Sequence, residues 1–322
     1  MALASGLANF TSPKAGRELR HDLERLPEWW AEEGDIIYES GKCRKENGKS
    51  WLMQIDHVEP WGWDAAIRAE LLRAGVRPEV MPTEEQIERI RELSNRATAV
   101  ALLKQLRTID GTTGESCVCN DIDEVFAYLN IHKDIVVKAP WSSSGRGVRF
   151  VNLNVNVNVN LNENDRKWIE NIIRKQGSII AEQRCDKVQD FAMEFAIDHT
   201  GRVTYEGLSL FDTTNTAYTG NLLLPEEEKK TRLTQYVHED TLNEVRKKIM
   251  SFLSEQIAPS YQGPLGVDMM ICANGLLNPC IEINLRRTMG HVALAMTRRG
   301  KRGTMAITYT DGKYKLTTKT IN

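Results

Sequence analysis

A chain of 322 residues with 41% hydrophobic content can bury one large core or two to three smaller ones. Its formal net charge of -2 gives no electrostatic ground for a nucleic acid or an anionic membrane as partner, and no apolar run is long enough to span a bilayer. The six cysteines are scattered; only Cys117 and Cys119 are close, and their spacing fits no zinc motif, which reads as reduced thiols of a cytoplasmic protein.

Residues 1–10 are apolar and helix-neutral and do not read as a signal peptide. Ser12-Pro13 predicts a helix start, with Ser12 as N-cap and Leu19, Leu23 and Leu26 at helical spacing behind it. Strands are expected at 35–38 and 52–55. Asp64 and Gly75 bracket a helix as N-cap and C′ residue. Trp61 and Trp63 flank Gly62 at its mouth; they can stack on a ligand or pack as core, and core is the preferred reading. This strand–helix alternation suggests a small α/β domain. Such a unit usually opens on a strand, which is missing here, so the native start is expected upstream of Met1.

Thr83 with Gln86 forms a capping box. Ser94 and Asn95 interrupt that helix and cap a second one, ending near Leu106. A loop at 111–114 and a short helix over 121–129 precede the β-branched run that delivers Lys138. Ser142, Ser143, Ser144, Gly145, Arg146 and Gly147 follow, and a second apolar run leads away. Gly and Ser let backbone N–H groups approach an anion, and Lys138 and Arg146 bring positive charge to the same place. The stretch is either a phosphate cradle between two strands or a Ser/Gly hairpin with a surface lysine. It is not a P-loop, because the lysine precedes the glycines and both flanks read as strands.

The Val-Asn alternation at 152–160 is a low-complexity strand extension or mobile loop. A helix over 164–174, a strand over 178–182, a hairpin across His199, Thr200 and Gly201, and a long helix over 239–257 come next. The polar stretch 209–224 is an acceptor pocket or a solvated connection. The strands 265–272 and 277–284 pair across Asn274-Gly275. Glu282 and Asn284, two apart on a strand, share a face. Asp268 joins them only if the pairing has even parity. A two-residue loop would deny that, so a three-residue loop with Gly275 left-handed, or a bulge, is expected. The three oxygen ligands then suit Mg²⁺ with bound phosphates, and Arg286 and Arg287 just beyond can meet phosphate or carboxylate. A helix over 290–299, whose His291 reads as structural, and a hairpin over Asp311-Gly312 close the chain.

Lys138 with its Ser/Gly loop, Glu182 at a strand end, and Gly266-Val267-Asp268 paired with Glu282-Ile283-Asn284-Leu285-Arg286 resemble the ATP-grasp superfamily of carboxylate–amine ligases over residues 94–299. The segment 3–26 with Pro60-Trp61-Gly62-Trp63 also resembles uncharacterised ATP-grasp proteins of Bacteroides-type bacteria. The resemblance implies an α+β fold, with two subdomains gripping ATP after a small α/β domain. The divisions would be 1–93, then 94–185 as central and lid subdomain, then 186–322 as metal and substrate subdomain.

It also implies site roles. Arg96 stands where the family has a first phosphate-binding lysine, and Lys138 is the second. The residues from Ser142 to Gly147 would close over the phosphates. Glu182 would orient the adenine amino group, with backbone near Arg184 and Cys185 as hinge, and Asp190 would take the place of the ribose-binding Glu. Asp268, Glu282 and Asn284 would hold Mg²⁺, with Mn²⁺ as substitute; Arg286 and Arg287 would act at the reacting groups.

The implied reaction joins a small-molecule carboxylate to an amine or thiol through an acyl phosphate. Other readings are an ATP-binding module without ligation and a small-molecule kinase. Either is compatible with a homo-oligomer. The sequence departs from the pattern at Arg96 (usually Lys), at Asp190 (usually Glu), and at Gly266, where peptide ligases often carry arginine.

Overall fold

The computed structural model describes residues 2–39, 45–46, 49–50, 52, 54–142, 147–153, 162–214 and 217–320. In chain order its elements begin with helices α1 (Ala2–Ser5) and α2 (Lys14–Asp22), then the two-residue strands β1 (Lys45–Glu46) and β2 (Lys49–Ser50). Helices α3 (Ala65–Ala74), α4 (Glu84–Leu93) and α5 (Arg96–Leu106) follow. A smaller unit holds β3 (Ser116–Cys119), α6 (Ile122–His132), β4 (Asp134–Lys138), β5 (Val148–Asn152), α7 (Glu163–Gln176) and β6 (Ile179–Gln183). The remainder is β7 (Lys187–Ile197), β8 (Val203–Thr214), β9 (Ala217–Leu223), α8 (Glu226–Leu233), α9 (Glu239–Phe252), β10 (Gly263–Cys272), β11 (Leu277–Asn284), α10 (Met289–Arg298), β12 (Gly303–Thr310) and β13 (Lys313–Lys319).

The local signals act where they stand in the sequence. Asp64 accepts from the N–H groups of Ala66 and Ile67 to start α3, and Gly75 ends it at φ 100°. Thr83 and Gln86 make the reciprocal capping box of α4. Asn95 caps α5. Helix α2 starts one residue later than expected, with Pro13 rather than Ser12 at the N-cap and no side-chain cap.

Strands β3, β6, β4 and β5 form a four-stranded antiparallel sheet in the order β3-β6-β4-β5. Its own core packs Val125 and Leu129 of α6 and Ile169 of α7 against Ile135 and Val137 of β4. The second sheet is seven-stranded and antiparallel throughout, in the order β11-β10-β7-β8-β9-β12-β13. Alternation sorts its two faces. Leu265, Val267, Met269 and Ile271 of β10 join Phe191, Met193 and Phe195 of β7 in the main core, where Val245, Ile249 and Phe252 of α9 also sit. The opposite face of the same strands carries Gly266, Asp268, Asp190 and Glu194.

Two expectations fail in the first 93 residues. No strand forms at 35–38, nor among the described residues of 52–55; Ile36 is left exposed, and without a neighbouring strand the ladder has no partner. Leu52, Trp63, Leu71, Val76, Ile87 and Ile90 instead join the same core as the seven-stranded sheet. Four strands were not foreseen, β1, β2, β3 and β9. The stretch read as an acceptor pocket or solvated connection, 209–224, holds the end of β8 and all of β9 among its described residues. The Val-Asn repeat at 154–160 lies outside the described residues.

Candidate active site between the two sheets

A cleft of about 920 Å³ runs between the two sheets. Lys138 and Glu182 line it from the four-stranded side; Asp190, Asp268, Glu282 and Asn284 line it from the seven-stranded side. The two halves are far apart in sequence and meet only in the fold.

On the first side, antiparallel pairing sets Val136 opposite Glu182, which places Lys138 diagonally across from that carboxylate. The Lys138 ammonium lies 2.6 Å from Glu182 Oε2 and both side chains are largely buried. The two groups that the resemblance assigned to opposite ends of a nucleotide are thus partners. Ser142 lines the cleft, and the Gly147 carbonyl accepts the Ala139 N–H at 2.8 Å, closing the base of the serine loop. Ser143, Ser144, Gly145 and Arg146 lie outside the described residues. Arg184 and Cys185 line the cleft on the connection to β7. The Arg184 guanidinium is 3.2 Å from Asp134 and stands 5.2 Å over the Phe150 ring.

On the second side, β10 and β11 meet through a three-residue loop. The Cys272 N–H donates to the Leu276 carbonyl, and Gly275 has φ 78°. A register shift between Asp268 and Met270 adds a bulge, and Asp268 faces Glu282 directly. Asp268, Glu282 and Asn284 therefore share one face, as even parity requires. Burial and the repulsion of Glu282 push the Asp268 carboxyl up to about 7. Asn284 Nδ2 donates to Asp268 Oδ2 at 3.0 Å. Arg286 Nη2 donates to Asn284 Oδ1 at 2.7 Å. Arg96, the first residue of α5, donates to Glu282 Oε1 at 2.9 Å, to the Ala139 carbonyl at 2.6 Å and to Ser142 Oγ at 2.7 Å. Asp190 accepts from Thr213 Oγ1 at 2.6 Å and from Lys187 Nζ at 2.5 Å.

Arg287 is a correction. Its guanidinium pairs with Glu59 and stacks 4.2 Å from the Trp30 ring, and its N–H donates to the Trp61 carbonyl. It ties the first 93 residues to the end of β11 and is not among the residues lining the cleft. Trp63 is core, as preferred; Trp61 packs against Trp30 at 6.3 Å and remains 37% exposed.

Sequence reading missed Glu194, on the same face of β7 as Asp190. It is 1% exposed. Gly266 and Gly290 leave the space it fills: a Cβ on either would lie within 2.4 Å of its carboxylate. Thr288 Oγ1 donates to Glu194 Oε1 at 2.8 Å, and Oε2 lies 3.1 Å from His291 Nδ1. That spacing is not an ion pair. Burial pulls His291 down to about 3, so its ring is neutral, with Nδ1 accepting the Thr288 N–H and Nε2 next to the Phe195 carbonyl. Burial also pushes the Glu194 carboxyl up to about 8, with Asp268 adding repulsion. Nδ1 already accepts the Thr288 N–H, and the buried Glu194 Oε2 makes no hydrogen bond among the described residues. The signal was present in the sequence: a carboxylate inside an apolar run, as for Asp268.

Among the described residues, no three His, Cys, Asp or Glu side chains form a metal cluster. The candidate set is two carboxylates and an amide, all oxygen donors. That chemistry fits a hard cation taking its other ligands from phosphate and water. No helix among the described residues is long and apolar enough to cross a membrane.

Two antiparallel sheets with their helices, facing each other over one cleft, make this an ATP-grasp fold, and solved structures agree. N5-carboxyaminoimidazole synthetase from Staphylococcus aureus, complexed with ADP, matches with TM-score 0.51 and 11% identity over 76% of this chain and 69% of that one. Biotin carboxylase from Campylobacter jejuni, in its beta-gamma-ATP complex, matches with TM-score 0.53 and 15% identity over 76% and 52%. Pyruvate carboxylase from Rhizobium etli matches with TM-score 0.54 and 16% identity over 76% of this chain and 20% of its own length. At these identities the likeness is one of fold. No family model matches the sequence, and no curated protein does.

Proposed function

We propose that the protein is a Mg²⁺- and ATP-dependent ligase that joins a carboxylate to an amine or thiol through an acyl phosphate. One observation carries this reading: Lys138 and the Asp268–Glu282–Asn284 face line a single cleft from opposite sheets. Lys138 would contact the α- and β-phosphates, steadied by Glu182. The loop from Ser142 to Gly147 would cover them. Glu182 and the backbone at Arg184 and Cys185 would meet the adenine, and Asp190 the ribose. Asp268, Glu282 and Asn284 would hold the cation, whose bound charge would neutralise the transferring phosphoryl oxygens. Arg286 would orient the carboxylate substrate, and the covered cleft would keep water from the acyl phosphate.

The test is release of ADP and phosphate from ATP in the presence of Mg²⁺ and pools of carboxylates and amines. Lys138→Ala and Glu282→Ala are each expected to lower turnover by about a hundredfold or more. Full activity in either variant would sink the assignment.

A second reading, an ATP-binding module without ligation, is favoured by one observation. Gly266 stands where the resembled peptide ligases place an arginine, and Glu194 fills the space beside it. This reading expects Mg·ATP binding and no substrate-dependent ADP.

A further inference from the structure

The proposed cation ligands are already bonded to protein donors. Glu282 Oε1 holds Arg96 at 2.9 Å, and the Asn284 amide lies between Arg286 and Asp268 with its oxygen towards the guanidinium. The Arg96 contact is the more consequential. It joins residues 186 apart, and the Arg96 side chain is 8% exposed. Arg96 also lines the cleft, and its buried Nε has no hydrogen-bond partner among the described residues. A buried guanidinium N–H without an acceptor is costly, so this side chain has donor capacity left for an anion.

A dication on Glu282 and a guanidinium at hydrogen-bonding distance from the same carboxylate repel each other. Arg96 therefore opposes a cation that arrives alone. A phosphate oxygen in the cleft changes the balance, because it offers Arg96 another acceptor and the cation further ligands.

We infer that Arg96 is a positioning residue that couples cation binding to nucleotide binding: it holds Glu282 against a lone dication and moves to phosphate when the two ligands arrive together. This rests on the reading of Asp268, Glu282 and Asn284 as cation ligands, and goes beyond it by locating the coupling in one side chain. Coupling of this kind is reciprocal: the factor by which nucleotide tightens the cation equals the factor by which the cation tightens nucleotide.

The experiment measures free Mn²⁺ by electron paramagnetic resonance in titrations of the full chain, with and without ADP. It compares the parent protein with Arg96→Gln, which keeps hydrogen-bonding groups but not the charge, and Arg96→Lys, which keeps the charge. In Arg96→Gln, Mn²⁺ without nucleotide is expected to bind about tenfold tighter, and the tightening caused by ADP to shrink by a similar factor. Arg96→Lys is expected to stay near the parent in both. Arg96→Met serves as the neutral variant if Gln perturbs folding, judged by the thermal melt. Unchanged or weaker nucleotide-free Mn²⁺ binding in the neutral variant, with Mn·ADP bound normally by the parent, overturns the inference and leaves the ligase reading standing. A parent protein that binds no Mn·ADP overturns both.

Discussion

Glu194 shows how much a single buried carboxyl can set. With its pKa pushed up to about 8, the folded chain keeps a proton that an unfolded glutamate releases near pH 4.3. Its contribution to stability is therefore greatest at low pH and falls by about 1.4 kcal/mol per pH unit until about pH 8. His291, lowered to about 3, acts in the opposite sense: stability rises with pH between about 3 and 6.5 and is flat above. Asp268, raised to about 7, falls in step with Glu194 but stops sooner. Between pH 7 and 8 Glu194 dominates these three. Other charged groups facing it are Arg286 and Lys229, both of which lower its pKa. Glu194→Gln keeps an acceptor for Thr288 Oγ1 and does not titrate. In urea unfolding the parent is expected to lose about 1 kcal/mol from pH 7 to pH 8, and the Gln variant markedly less. Equal losses would show that Glu194 is already ionised at neutral pH.

At the scale of elements, the β10–β11 loop decides whether a cation site exists. Three residues, Ala273, Asn274 and Gly275, give even parity, whereas two would turn Asp268 away from Glu282. Gly275 sits at φ 78°, where a β-branched side chain is strained. Gly275→Val is expected to cost about 1–3 kcal/mol in denaturant melts, and loss of cation affinity beyond that would mean that the register has slipped. The helix starts behave more simply. Thr83→Ala removes one side of a capping box and should cost about 1 kcal/mol, with nucleotide binding unchanged, because α4 supports the core and the box lies away from the cleft. These features were legible because each is a short-range bargain between a side chain and nearby backbone groups. The strands expected at 35–38 and 52–55 were not, because a strand is completed by a partner that local pattern does not specify.

The two larger sheets meet at a cleft, with the first 93 residues packed into the larger core and held at Arg287 by Glu59 and Trp30. A ligand that binds between the sheets stabilises the folded state by mass action. Mg·ADP at a hundred times its dissociation constant should add about 2.7 kcal/mol, read as a rise in melting temperature, and Lys138→Ala should abolish most of that rise. No shift in the parent protein would contradict a nucleotide cleft. The sequence alone determined the caps of α3, α4 and α5, the β10–β11 and β12–β13 hairpins, the alternation that separates core from cleft face, and the grouping of Glu282 with Asn284. All of these depend on residues within a few positions of one another. Only the tertiary structure decided that Lys138 pairs with Glu182, that Arg96 reaches Glu282, that Arg287 turns away, and that Glu194 lies sealed beneath two glycines. The reason is physical: those contacts join strands and helices tens to hundreds of residues apart, and burial and charge act through space, where the order of residues along the chain carries little information.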